Sequence, residues 1–127
     1  DEYRRNVRLI IRRLRRYYPN AKLVFATTTP MNPKLGDAKI LARRTTDVIR
    51  RYNEAAVAVA KDENVPVNDL FALTKDWPTE DFADYCHFTP AANARLGAAI
   101  GEFLFPLITA CAVDQNAESV KEKEVAR

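Results

Sequence analysis

The 127-residue sequence predicts an α/β fold with parallel strands, with part of its sheet missing. Three observations carry this. Helix-like and strand-like segments alternate in the order helix, strand, helix, strand, helix. The first strand-like segment, residues 22–28 (KLVFATT), is apolar and continuous rather than alternating, which suits a parallel strand covered on both faces. Only two such segments occur, and a two-stranded parallel sheet cannot cover its own edges or fill a core between helix layers. The remaining strands are expected upstream of Asp1. Residue 1 is Asp and no signal peptide opens the sequence, so the chain reads as processed, cut, or a fragment of a longer reading frame.

The first helix is expected over residues 2–18, ended by Pro19-Asn20. Val7, Ile10, Ile11 and Leu14, with Tyr3 and Tyr17 or Tyr18, form an apolar stripe at helical spacing. Arg4, Arg5, Arg8, Arg12, Arg13, Arg15 and Arg16 fill the rest, so the formal charge of +3 is concentrated at one end of the chain. Such a helix can bind nucleic acid or an acidic partner. A solvated outer face of an amphipathic helix is the favoured reading. The Gly-flanked aromatic strand motifs of the common single-strand RNA readers are absent, and nucleic acid is not the expected partner.

The first strand ends at Thr27-Thr28-Thr29-Pro30, where threonines more often satisfy backbone groups in a turn than line a cleft. Residues 31–36 form a loop bordered by Pro30 and containing Pro33. A long helix with an irregular start is expected over residues 37–63, its apolar positions being Ile40, Val48, Tyr52, Ala55, Ala56 and Val59. Asn53 on that helix suits a buried hydrogen bond. The second strand, residues 64–70 (NVPVNDL), ends in Asn68 and Asp69, which suit turn formation and helix capping better than catalysis. Residues 71–82 are a short helix or irregular connection broken at Trp77-Pro78; Trp77 either packs locally or walls a sugar or acyl site. Thr89-Pro90 starts the last helix. It runs to about Phe105, where Pro106 kinks or ends it, and residues 107–113 can continue it. From Asp114 the chain is charged and poorly periodic, a frayed helix or disordered tail.

No apolar run approaches the roughly 18 residues of a membrane span, so no membrane partner is expected. Cys86 and Cys111 form no CxxC pair and there is one histidine, so no zinc pattern is recognisable and no metal or cofactor is expected. Cys111 reads as a core filler on an apolar helix, and a disulfide to Cys86 is not demanded.

The chemistry lies in Asp84-Tyr85-Cys86-His87, which holds the chain's single histidine. Imidazole has the right basicity to take a hydroxyl proton near neutral pH. A carboxylate on its other ring nitrogen fixes the tautomer and stabilises the imidazolium. Residues three apart share a face in one helical turn, so Asp84 and His87 can meet. On spacing alone, a surface turn with Asp84 capping or loosely paired is the plainer reading. The third member of a triad, a serine, is not recognisable: Ser119 is the single serine and sits in the charged tail. Cys86 beside His87 invites a cysteine-nucleophile reading, but adjacent side chains rarely face each other.

The stretch Asp84-Tyr85-Cys86-His87-Phe88-Thr89-Pro90 resembles the last block of the SGNH hydrolases, the GDSL esterases and lipases. That block carries Asp-x-x-His before the final helix, often continuing as His-Phe-Thr-x-x-Gly. Residues 21–30 (AKLVFATTTP) resemble the strand and loop after the family's third block; Tyr52-Asn53 with Ala55 and Ala56 resembles its YNxxA helix; Val67-Asn68-Asp69-Leu70 resembles its next strand end. The resemblance spans residues 1–107. It implies a three-layer α/β/α, flavodoxin-like fold and ester hydrolysis by a Ser-His-Asp triad, with His87 as general base and Asp84 as its orienting acid. A carbohydrate O-acetyl or another small acyl ester is the implied substrate, with no cofactor. The family's Gly-Asp-Ser block and its oxyanion-hole glycine and asparagine blocks have no counterpart. All precede the matched region, so residues 1–113 read as the C-terminal part of one such domain, inactive by itself, and 114–127 as a charged tail. Ala91-Ala92 stands where members often have Glu-Gly. Two rivals remain: a binding module working through Arg12 and Arg13, and a degenerate homologue that dimerises through its sheet edge.

Overall fold

The computed structural model describes residues 2–125, with side chains as far as residue 110. The chain divides into two compact units, Asp1–Ala91 and Ala92–Arg127. The first contains α1 (Glu2–Tyr17), β1 (Phe25–Ala26), α2 (Ala38–Leu41), α3 (Thr46–Asp62), β2 (Val67–Asn68) and α4 (Leu70–Thr74), with 3-10 turns at Pro33–Leu35 and Thr79–Asp81. The second is helix α5 (Pro90–Val125) from Ala92 onward. The chain is mostly helical with one small parallel sheet, consistent with part of an α/β fold.

β1 and β2 pair in register Phe25↔Val67 and Ala26↔Asn68. The expected strands of seven residues shrink to two each. A strand extends only as far as a neighbour pairs with it, and among the described residues each has one neighbour. Cover on both faces is not found either: Phe25 is half-buried and Ala26 exposed.

The long helix expected over 37–63, with its irregular start, is two helices. Asp37 Oδ1 accepts from Ile40 N at 2.8 Å and starts α2. Thr45 Oγ1 accepts from Val48 N at 3.1 Å and starts α3. Each cap satisfies an amide that a continuous helix would have bonded internally, so the helix restarts between them. At the other end, Val65 N bonds Ala60 O at 2.8 Å and Asn64 N bonds Lys61 O at 3.0 Å. Asn64 carries φ of 51°. This is a Schellman ending, with asparagine in the left-handed position it tolerates better than most residues.

α1 packs on α3. Val7 and Ile11 join Ala56, Val59, Ala60 and Val65 in the core, with Leu23, Phe25 and Val67 against them. The apolar stripe of α1 is only partly covered: Ile10 is 57% exposed, and Leu14, Tyr17 and Tyr18 are exposed too. One neighbouring helix covers an i, i+4 strip and no more. On α3, Val48 and Tyr52 are likewise exposed, and Tyr52 meets Tyr3 edge-on at 4.7 Å. The arginines are not all a solvated face. Arg8 Nε and Arg12 Nε donate to Glu63 Oε1 at 3.0 and 3.1 Å, and Arg15 donates to the Glu63 carbonyl. Glu63 is buried, with 9% of its side chain exposed.

The carboxyl ends of both strands are tied by side chains. Asn53, buried on α3, donates to Thr28 O at 2.7 Å and accepts from Thr28 N at 2.9 Å. Thr27 Oγ1 donates to Asp69 Oδ1 and accepts from Phe71 N, each at 2.9 Å. Asp69 also caps α4 through Ala72 N. Thr27, Asn53 and Asp69 therefore do the structural work expected of them. Thr46 Oγ1 clasps the backbone of Met31, which extends this tie into the loop after β1.

In the second unit, Pro106 neither ends nor interrupts α5. A proline removes one amide donor, and the turns on either side keep theirs. The backbone remains helical through Val125, across residues 114–125 of the segment expected to be a frayed helix or disordered tail. The side chains of Cys111 and Ser119 lie outside the described residues, so the core-filler reading of Cys111 does too. Among the described residues, no helix is long and apolar enough to cross a membrane.

Candidate functional site

Residues 83–89 turn back on themselves over an aromatic base. Phe82 and Phe88 form an antiparallel bridge, and both are buried. Their ring centroids lie 4.8 Å apart, and Trp77 meets Phe88 edge-on at 5.2 Å. Ala83 N bonds His87 O at 2.8 Å, and Thr89 N bonds Asp81 O at 2.8 Å. The burial of the two phenylalanines fixes the stem, and the residues between them must form a tight exposed loop.

Asp84 organises that loop. Its Oδ1 accepts from Cys86 N and His87 N, both at 2.8 Å. Its Oδ2 lies 2.7 Å from His87 Nδ1. The backbone amide of Cys86, then the His87 ring, then the His87 amide hold the Asp84 carboxyl far below the usual carboxylate range. At neutral pH Asp84 is therefore an ionised acceptor. Nδ1 must donate to it, and neutral His87 carries its lone pair on Nε2. The His87 side chain is 73% exposed, so that nitrogen is open to a reacting partner.

Cys86 Sγ lies 3.6 Å from His87 Nδ1. The expectation that these neighbours would face apart is not met. Both amides bend toward one Asp84 oxygen, and the turn brings the side chains to the same side. Burial first, and the Asp84 charge second, push the Cys86 thiol up, which disfavours the thiolate. Its thiol is free.

The loop is joined to the strand end through Asn32 N, which bonds Tyr85 O at 2.9 Å. Tyr85 also lines an open cavity of about 740 Å³ with Lys39, Arg43 and Arg44, a basic wall absent from the sequence reading. The adjacent arginines in a helix break are the signal that points to it. Trp77, Met31, Asn32 and Phe82 line a second cavity, of about 490 Å³. Trp77 thus packs locally and also borders a hollow.

A family model described as GDSL-like lipase/acylhydrolase matches residues 1–95. A GDSL esterase/lipase of Arabidopsis thaliana is 28% identical over 102 residues, covering 72% of this chain and 42% of its own length. A GDSL esterase/lipase of Oryza sativa subsp. japonica is 30% identical over 97 residues, covering 70% of this chain and 37% of its own length. The chain thus spans about two-fifths of the curated relatives it matches. Since the matched segment includes the whole of the first unit and the Asp84–His87 turn, the chain belongs to the GDSL-like lipase/acylhydrolase family.

Proposed function

We propose that this chain supplies the base and the orienting acid of a Ser-His-Asp triad that hydrolyses esters. The observation that carries the reading is an ionised Asp84 held 2.7 Å from Nδ1 of an exposed His87, which leaves Nε2 as a base. The serine belongs to a preceding part of the protein outside these 127 residues. The two-stranded sheet and the half-covered face of α1 support a larger three-layer α/β/α domain that such a part would complete.

His87 Nε2 takes the serine hydroxyl proton as the oxygen attacks the ester carbonyl. The imidazolium is stabilised by Asp84 and gives the proton to the departing alkoxide. Water then repeats the sequence on the acyl-enzyme and returns the serine. A carbohydrate O-acetyl group or another small acyl ester is the substrate class. The Asp84 bonds keep the ring in one tautomer and one orientation throughout, which lowers the reorganisation needed at the transition state.

The test is hydrolysis of p-nitrophenyl acetate by the protein that contains this chain and the serine-bearing part. His87→Ala is expected to lower kcat by about 10³-fold or more. Near-normal activity of that variant overturns the reading. The purified 127-residue chain is expected to be inactive, and His87-dependent turnover by it overturns the placement of the serine.

A further inference from the structure

The Asp84 turn gathers more donors than a triad needs. Asp84 Oδ, Cys86 Sγ and His87 Nδ1 all lie within 4.8 Å of one another. The separation Sγ···Nδ1 is 3.6 Å and Nδ1···Oδ2 is 2.7 Å. We propose that these three side chains form a binding site for a soft divalent cation, Zn²⁺ in particular, and that the ion switches off His87 as a base.

Tetrahedral zinc with ordinary bond lengths sets sulfur and nitrogen ligands about 3.6 Å apart, and nitrogen and oxygen ligands about 3.3 Å apart. The thiol and imidazole already stand at the first distance. The carboxylate has to withdraw from the ring by about 0.6 Å to reach the second. Oδ1 stays bonded to the amides of Cys86 and His87 meanwhile, so the turn that carries all three ligands is already formed before the ion arrives. The fourth position faces solvent, given the exposure of His87 and Asp84. Thiolate with imidazole selects Zn²⁺, Co²⁺ or Cd²⁺ over Mg²⁺ and Ca²⁺.

Binding is balanced as follows. The ion replaces the proton between Nδ1 and Oδ2. The Cys86 thiol releases one proton to solvent, and the ring keeps its single proton, now on Nε2. That nitrogen is the one the proposed mechanism needs as an acceptor. A chelator reverses the change. The inhibitory consequence rests on the function proposed above; metal binding itself does not.

Two measurements separate these. First, the 127-residue chain carrying Cys111→Ala is titrated with Co²⁺ and Zn²⁺, with circular dichroism confirming the fold. A thiolate-to-cobalt charge-transfer band and one zinc per chain by calorimetry are expected. A further Cys86→Ala change abolishes the band, and His87→Ala weakens zinc binding by about tenfold or more. Absence of the band, or undiminished zinc affinity in the His87→Ala variant, overturns the site. Second, in the serine-containing protein, Zn²⁺ lowers esterase turnover and a chelator restores it. Relative to its own metal-free rate, Cys86→Ala requires about tenfold more zinc for the same loss. Unchanged zinc sensitivity in that variant overturns the switch. An absence of any esterase activity leaves the cobalt band to decide the site and counts against the proposed function.

Discussion

Asp84 and Glu63 are both carboxylates held ionised by convergent donors, yet they are assembled in opposite ways. Every donor to Asp84 lies within three residues of it, and its side chain is 45% exposed. The arginines on Glu63 come from 48 to 55 residues away, and its side chain is nearly covered. The first is a local device: it needs a turn and an aromatic stem. The second exists only when α1 has docked on the end of α3. Chemistry placed in the first region is insulated from the packing that decides stability in the second.

The comparison breaks most visibly if function and stability fail to separate. The loss of about 10³-fold or more in turnover expected of His87→Ala should come with a change in unfolding free energy within about 0.5 kcal/mol, read from urea melts of the same variant. A large drop in stability would mean that the turn helps hold the fold. Asn53→Ala should do the reverse. It strips two hydrogen bonds from Thr28 and leaves that backbone unpaired at a part-buried site, costing about 2–3 kcal/mol in urea unfolding, with the Asp84–His87 pairing intact. A cost near zero would show that the strand end is held by other contacts. Asn64→Ala should cost about 1–2 kcal/mol, because alanine is disfavoured at φ of 51°, whereas Asn64→Gly should be close to neutral. Equal costs for alanine and glycine would exclude the backbone explanation.

Acid supplies the mildest test. The Asp84 carboxyl is lowered by the Cys86 amide first, and that of Glu63 by its bond from Arg12 first. Both folded values therefore lie below the unfolded ones. Each group contributes stability above the ordinary carboxylate range, about pH 4, and loses it as pH falls through its folded value. Urea midpoints should fall between pH 5 and pH 2. The fall should be shallower in Glu63→Gln and in Asp84→Asn, and 0.5 M salt should blunt the Glu63 contribution less, since that group is covered. A pH dependence identical to that of the unaltered chain in both variants would remove these carboxyls from the acid response.

The same contrast explains what could be read from residues alone. The meeting of Asp84 with His87, the helix start at Pro90 and the Asp69 cap are short-range matters of residue type and spacing, whereas the burial of Asn53 was legible from its residue type but its partner, Thr28, 25 residues back, was not. The ends of β1 and β2 are not, because strand length depends on a neighbour. The restart at Thr45 was hidden by apolar positions, Ile40 and Val48, that continue across it. Glu63 carries no local mark of its three arginines, since nothing near it in the chain encodes a partner some fifty residues back. The Cys86–His87 approach departs from the general odds for adjacent residues because one carboxylate bends both amides the same way.

The register of Phe25 with Val67 has a consequence for how the chain is made. The first unit closes through contacts between segments more than forty residues apart, which places it among the slower-folding topologies for its size. At about 5–20 residues per second of synthesis, α1 waits roughly 2–10 s for Glu63 to be added. During that wait Val7 and Ile11 have no core to enter. The arginines that will later clasp Glu63 serve meanwhile as the charge that keeps the exposed apolar stripe of a nascent amphipathic helix from its neighbours.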